Sequence, residues 1–210
     1  MAKPLMIAIG GGSGSGKTTV VRLLERHLRA EGVLIVSQDH YYLDLSHLKP
    51  EERDRRNFDH PEALDFGLIR QQMHALASGQ SVERPTYDFA SHTRKPATEL
   101  LDPQPIIFFD GILSLTDEKV RSYFDVCLYV DVPSDIRFIR RLQRDVAERG
   151  RTVKNVCQQY LETVRPMHEK FVEPTKQFAD IVIEWIIRDE DKITKLAGDL
   201  RSRLSKRNAS

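Results

Sequence analysis

Residues 11 to 18, Gly11-Gly12-Ser13-Gly14-Ser15-Gly16-Lys17-Thr18, set glycines, a lysine and a hydroxyl at the spacing G-x-x-x-x-G-K-[ST]. Glycines let a backbone wrap a phosphate and turn its N–H groups inward. A helix opening at the end of such a loop adds partial positive charge. Lys17 has the reach for terminal phosphates, and the Thr18 hydroxyl suits Mg²⁺. The apolar run Leu5–Ile9 precedes the loop and an amphipathic stretch follows it. That strand–loop–helix context separates a P-loop from a glycine-rich turn with a chance lysine. The motif implies a nucleoside triphosphate; it does not tell a kinase from an NTPase switch.

Two carboxylates fall where a second chemical function is expected. Asp39 follows the apolar run Val33–Val36, and Asp110 closes Ile106–Phe109. Phosphoryl transfer to an alcohol needs a base for the hydroxyl proton and oxygen ligands for the metal, direct or through water. Asp39 is the candidate base; Thr18, Asp39 and Asp110 are the candidate metal ligands. The alternative is an acidic residue capping a turn after a strand.

The elements that must position these groups follow from periodicity. Short apolar runs at Leu5–Ile9, Val33–Val36, Ile106–Phe109, Val126–Val130 and Ile181–Ile187 read as buried strands. Helical spacing predicts helices over 17–30, after Pro61 with Leu64, Leu68, Met73 and Leu76 inward, over 134–148, over 153–164 ending before Pro166, and over 192–204 with a basic tail. In 134–148, Ile139, Leu142 and Val146 form one stripe among arginines. Residues 41–56 read as polar surface, and 81–103, with three prolines around Tyr87-Asp88-Phe89, as a small hairpin over a site. The expected fold is α/β: a three-layer P-loop NTPase fold with a mainly parallel five-stranded sheet, a β-hairpin excursion (81–103) and an Arg-rich helical lid (137–165), in one domain spanning 1–210. Ligands of such sheets sit at the carboxyl ends of the strands, where the motifs fall.

Composition narrows the partners. Lys and Arg number 32 against 31 acidic residues, so no global field draws nucleic acid or an anionic membrane. No run approaches a membrane span, and the N-terminal apolar stretch is too short for a signal peptide. Cys127 and Cys157 lack metal-ligand spacing and read as core thiols. A cytoplasmic protein acting on small molecules is expected.

Several stretches resemble the uridine (uridine–cytidine) kinase family, from about Ile7 to Ile183: Gly11–Thr19, Ser37–Tyr42, Asn57-Phe58-Asp59-His60-Pro61, Tyr87–Arg94, Arg140-Arg141 with Arg144-Asp145, Glu148–Arg151, Gln159-Tyr160 and Val164–Met167. The P-loop is generic; Asn57–Pro61 and Tyr87–Arg94 together are specific to that family. The resemblance implies Gly11–Thr19 for the nucleotide and Asp39 as base for a sugar 5′-hydroxyl. It implies Asp59 on the ribose hydroxyls, Tyr87 and His92 on the pyrimidine edge, Phe58 and Phe89 as walls, and Tyr42 near the nucleoside. Arg141, Arg151 and Gln159 match nucleoside-binding positions; Arg144 and Arg149 match arginines near the transferred phosphate. ATP or GTP with Mg²⁺, pyrimidine salvage and a homotetramer are implied in the same way. His60 and the surface arginines Arg201, Arg203 and Arg207 read as structural or solvated.

Two departures stand out. The family usually carries Glu-Gly where this chain has Asp110-Gly111, one methylene shorter. After Ile183 it typically continues into a proline- and glycine-containing turn against the adenine, where this chain reads Glu184-Trp185-Ile186-Ile187. A P-loop kinase of another small alcohol, phosphoribulokinase- or pantothenate kinase-like, and a nucleotide-dependent regulator with weak catalysis are the competing readings.

Overall fold

A computed structural model describes residues 3–53 and 55–208, with only the backbone of Asn208; Met1 and Ala2 of the N-terminal stretch lie outside the described residues. In chain order, β1 is Leu5–Gly10, α1 Lys17–Leu28, β2 Val33–Ser37, α2 Pro50–Arg53, α3 Phe66–Ala77, β3 Val82–Asp88, β4 Thr93–Leu101, β5 Ile106–Asp110, α4 Glu118–Arg121, β6 Val126–Asp131, α5 Ser134–Arg149, α6 Val153–Gln159, α7 Arg165–Met167, β7 Ile181–Glu184 and α8 Glu190–Asn208. Five strands form one parallel sheet in the order β2-β5-β1-β6-β7, and β3-β4 form a separate antiparallel hairpin.

The apolar runs of β1, β5 and β6 are those of strands covered on both faces, while the edge strands β2 and β7 are only partly buried. Their period-two alternation still sorts them into layers. Leu5, Ile7, Ile9, Phe108 and Leu128 pack with Val20 and Leu24 of α1 and Ile193 and Leu200 of α8. Met6, Ala8, Ile107, Phe109 and Tyr129 pack with Ile69, Met73 and Leu76 of α3. Each fully buried large side chain contributes about 1.5–3 kcal/mol, so these two layers hold the sheet and fix the ends of β1, β2 and β5 at one edge. Among the described residues no helix is long and apolar enough to cross a membrane.

Several sequence expectations change. The last strand stops at Glu184: Trp185 is buried, whereas Ile186 and Ile187 are exposed, so the apolar run overshoots the strand. The helix expected after Pro61 begins later. A 3₁₀ turn spans Pro61–Ala63, and α3 starts behind Asp65, whose carboxylate accepts from Leu68 N at 2.9 Å. The chain does not leave the helical path before Pro166. A π-turn at Tyr160–Val164 leads into α7, with Pro166 in its first turn, and a second π-turn spans His168–Val172. Val164 and Arg165 are already helical, so Pro166 sits within a continuing helical path next to a π-turn, where the missing N–H interrupts the regular ladder.

Tyr41, assigned to polar surface, is completely buried and donates to Gln72 Oε1 at 2.8 Å. The largest reversal is in α5. Its buried residues are Arg137, Arg141 and Asp145, while Ile139 and Val146 of the apolar stripe are 48% and 39% exposed. This helix turns its charged face inward, toward the P-loop. The cysteines are both free, Cys127 buried and Cys157 half-buried. Arg201 pairs with Glu31 and donates to His27 O at 2.8 Å, and Arg207 pairs with Asp125, so these arginines tie α8 to the body. His60 caps the 3₁₀ turn: its Nδ1 accepts from Glu62 N at 3.2 Å.

Candidate active site

The loop after β1 is a nest held by close approach. Gly11 has φ +134°, and a Cβ there would meet Val130 O at 2.5 Å; Gly14 has φ +80°, and a Cβ there would meet Arg137 O at 2.2 Å. Glycine is therefore required at both positions. Ser15 N donates to Gly12 O at 3.1 Å, Gly16 opens α1, and Thr18 and Thr19 lie in its first turn. Lys17 is buried, its Nζ donating to Gly11 O at 2.8 Å and Gly12 O at 3.0 Å. Burial pushes Lys17 down to about 8, against the pull of Asp110 and Asp39.

Strand register brings the carboxylates to this loop. Asp110 pairs with Ile9 on one side and with Ser37 on the other, and Asp39 follows two residues after Ser37 in a 3₁₀ turn. Gln38 locks the arrangement. Fully buried, it accepts from Leu113 N at 2.9 Å, and a Cβ on Gly111 would lie 2.1 Å from its Oε1. Asp110 Oδ2 accepts from Thr18 Oγ1 at 3.0 Å, so the shorter carboxylate still reaches the P-loop hydroxyl. Burial raises the Asp110 carboxyl, opposed by Lys17 and Thr18. Asp39 is raised by burial first and by Asp110 second, opposed by Lys17, Arg149 and Arg144. Its side chain is nevertheless open to solvent in the cleft although protein surrounds it, and that water access limits the push.

The Mg²⁺ expectation can be tested on these atoms. Asp110 Oδ1 is buried without a hydrogen-bond partner, beside the Thr18 hydroxyl and within the electrostatic reach of Asp39. An orphaned hard oxygen next to a hydroxyl and a second carboxylate fits Mg²⁺, which takes one or two carboxylates plus phosphate oxygens and waters. Among the described residues no three His, Cys, Asp or Glu side chains form a metal cage by themselves.

Beyond Asp39 the aromatic residues converge. Tyr42 meets Phe58 edge-on at 5.4 Å and Tyr87 at 5.5 Å, and Phe58 stacks on His92 at 4.5 Å. Tyr87 also meets Phe89 at 5.4 Å; Phe89 is largely exposed and stands at the rim. The Tyr87 hydroxyl is buried without a hydrogen-bond partner, and burial lifts it to about 12. His92 takes φ 55° at the hairpin tip. The hairpin is fastened by Arg94, whose Nε donates to Tyr42 O at 2.9 Å and whose Nη2 reaches Asp65 Oδ2 at 3.2 Å. Asp59 is half-buried; burial raises its carboxyl, opposed by Arg141 and Arg151.

The inward face of α5 closes the other side. Arg141 donates to Ser13 Oγ and to Gln159 Oε1, both at 2.8 Å, and Arg151 donates to Gln159 Oε1 at 2.6 Å. Arg144 and Arg149 contact Asp145 at 2.8 and 3.5 Å and lie within the electrostatic reach of Asp39. Hydrogen bonds and electrostatic neighbours link the P-loop, Asp39, Asp59, Tyr42 and the arginines of α5. Sequence reasoning names Gln38, Arg94, Arg140 and Trp185 only as members of longer stretches, with no role, and does not single out Arg137. Arg137 packs across Gly12 and Gly14. Trp185 lies against Gly16, and Arg140 donates to Ser15 O at 3.3 Å, Trp185 O at 3.1 Å and Ile186 O at 2.7 Å. The available signal was the spacing of Arg137, Arg141 and Asp145 four apart, a charged stripe as regular as the apolar one.

A parallel five-stranded sheet, a P-loop after its central strand and carboxylates on the neighbouring strand ends define a P-loop kinase fold and site. Residues 6–191 match the Phosphoribulokinase / Uridine kinase family, and the chain belongs to that family. It is 50% identical over 179 residues to a uridine kinase of Chloroflexus aggregans, covering 85% of this chain and 86% of that one. It is 47% identical over 181 residues to a uridine kinase of Anoxybacillus flavithermus, covering 86% of each. The phosphoribulokinase of Rhodobacter spheroides superposes with a TM-score of 0.63 at 15% identity, over 91% of this chain and 74% of that one.

Proposed function

We propose that this chain transfers the γ-phosphoryl group of ATP to the 5′-hydroxyl of uridine or cytidine, as a single domain. The observation that carries this reading is the aromatic cluster of Tyr42, Phe58, Tyr87 and His92, in which the Tyr87 hydroxyl is buried without a hydrogen-bond partner and Tyr42 lies within the electrostatic reach of Asp39 and Asp59. A flat base suits aromatic walls and a few oriented polar groups, and a ribose diol suits a carboxylate. Phosphoribulokinase-like acceptors, sugar phosphates without a base, would leave that cluster unused.

In the reaction, Asp39 accepts the proton of the 5′-hydroxyl. The O5′–Pγ bond forms as the bond from Pγ to the β–γ bridging oxygen breaks, and ADP departs. Lys17 and the P-loop N–H groups, with Arg144 and Arg149, stabilise charge on the phosphoryl oxygens. Thr18, Asp110 and Asp39 would hold Mg²⁺, which supplies Lewis-acid neutralisation of the triphosphate. Arg141, Arg151 and Gln159 orient the nucleoside, and Phe89 covers the cluster at its rim. From the family resemblance we carry ATP over GTP as the first donor to test, pyrimidine salvage, a cytoplasmic setting and a homotetramer. Neither nucleic acid nor a membrane is a partner in this reading.

The test is acceptor-dependent ADP release with Mg·ATP, comparing uridine and cytidine with adenosine, thymidine, ribulose 5-phosphate and pantothenate. Turnover confined to uridine or cytidine is the expected outcome. Turnover with ribulose 5-phosphate or pantothenate alone, or none at all with intact ATP binding, would replace this reading.

A further inference from the structure

We infer that Asp145 is the positioning residue of the phosphate-binding arginines: a buried carboxylate that gathers four guanidinium groups and sets where they face. Asp145 is 0% exposed. Its Oδ1 accepts from Arg144 Nε at 2.9 Å and lies 3.5 Å from Arg149 Nη1. Its Oδ2 lies 3.6 Å from Arg141 Nε and 3.5 Å from Arg151 Nη1. Its main chain contributes as well: Asp145 O accepts from Gly150 N and from Arg151 N at 3.1 Å, turning the chain back so that Arg151 comes beside Arg141.

Four guanidiniums share Asp145 and face Asp39 and Asp59, which leaves the cluster with a net positive charge. The groups it faces are Ser13 of the P-loop through Arg141, Asp39 through Arg144 and Arg149, and Asp59 through Arg141 and Arg151. A surplus of positive charge aimed at a phosphate cradle is completed by an anion, and the spacing of its members is set by the one negative group they share. Asp145 lies beneath the arginines and touches no reacting atom, so it acts only through them. Preorganised donors cost no rearrangement when charge develops, which is the gain such a residue provides. The inference rests on the proposed kinase reading for the identity of the anion.

The test is a double-mutant cycle in the full chain between Asp145→Asn and Arg144→Gln, read as uridine-dependent kcat and as the Kd of a non-hydrolysable ATP analogue. D145N is expected to lower kcat about 10–100-fold. R144Q should cost a similar factor alone and less than about threefold in the D145N background, because the two act as one unit. Additive losses, or a wild-type kcat in D145N, overturn the proposal. A purely structural role would lower the active fraction without this coupling. Should D145N fold poorly, Arg Nε–H hydrogen exchange in the unmodified protein replaces it: slow exchange at Arg144 is expected, and exchange as fast as at exposed arginines overturns the proposal. If the wild type shows no uridine turnover, the kinase reading fails on its own, and the cycle in analogue Kd still decides the role of Asp145.

Discussion

At Asp39 chemistry and stability pull in opposite directions. Burial and the neighbouring Asp110 raise its carboxyl, so ionising it in the folded state is harder than in the unfolded chain. The folded protein holds that proton to higher pH than the unfolded chain does, and stability is lost as pH rises through this interval. The same sign holds for Asp59 and Asp110. Lys17 has its folded value lowered to about 8 by burial, so it is charged at neutral pH at some cost, and stability is regained as pH rises from there toward its ordinary value. Because Asp39 is open to solvent, Asp39→Asn is expected to change Tm little at pH 7 while lowering kcat about 10²–10⁴-fold. Thermal melts and steady-state rates on the same preparation check both halves; an unchanged kcat would remove Asp39 from the role of base. Because that base must be ionised, the acid limb of kcat/KM is expected above the ordinary carboxylate range and absent in D39N, which a pH–rate profile reads directly.

Among elements, the junction of β2 and β5 decides whether the two carboxylates meet. Gln38 fills the space that a side chain at Gly111 would need, and the same amide holds Leu113 N. Gly111→Ala is expected to cost about 1–3 kcal/mol through overpacking, lowering Tm by several degrees and disturbing Asp110. Adding Gln38→Ala to G111A should recover part of that loss although Q38A alone destabilises; melts of all three variants test the coupling. Neither partner was legible in the sequence, because a close approach between two strand ends leaves no periodic trace. The central strands were legible, since a strand buried on both faces must be apolar throughout. α5 was misread for a physical reason. Periodicity shows that two stripes exist, apolar at Ile139, Leu142 and Val146 and charged at Arg137, Arg141 and Asp145, but not which one faces inward. Here the interior it meets is a phosphate loop, and the charged stripe wins.

Across the whole molecule, strand order separates the two substrates. Asp39 and Asp110 end β2 and β5, the P-loop follows central β1, and the Trp185–Ile187 turn lies beyond β6 at the end of β7. In-line transfer places acceptor and leaving group on opposite sides of the γ-phosphoryl, so on the proposed reading the acceptor is expected on the β2 side and the donor nucleoside toward β7. The proposed acceptor side was suggested by resemblance alone, through two short stretches, Asn57–Pro61 and Tyr87–Arg94. On the donor side the P-loop announces itself by its glycines and lysine, whereas the β7 end does not: Arg140 binds the carbonyls of Ser15, Trp185 and Ile186, which no residue type announces. The two halves should then respond separately. Arg94→Ala frees the hairpin from Tyr42 and Asp65 and is expected to raise KM for the nucleoside about 10-fold, with KM for ATP within about twofold. Arg140→Ala loosens Trp185 from the P-loop and is expected to raise KM for ATP by a similar factor, with the nucleoside KM little changed. With no shared partners, the two effects should multiply in the double variant. Initial-rate matrices over both substrates read all four constants, and a nucleoside KM that follows R140A would mean that the sheet does not keep the two sites apart.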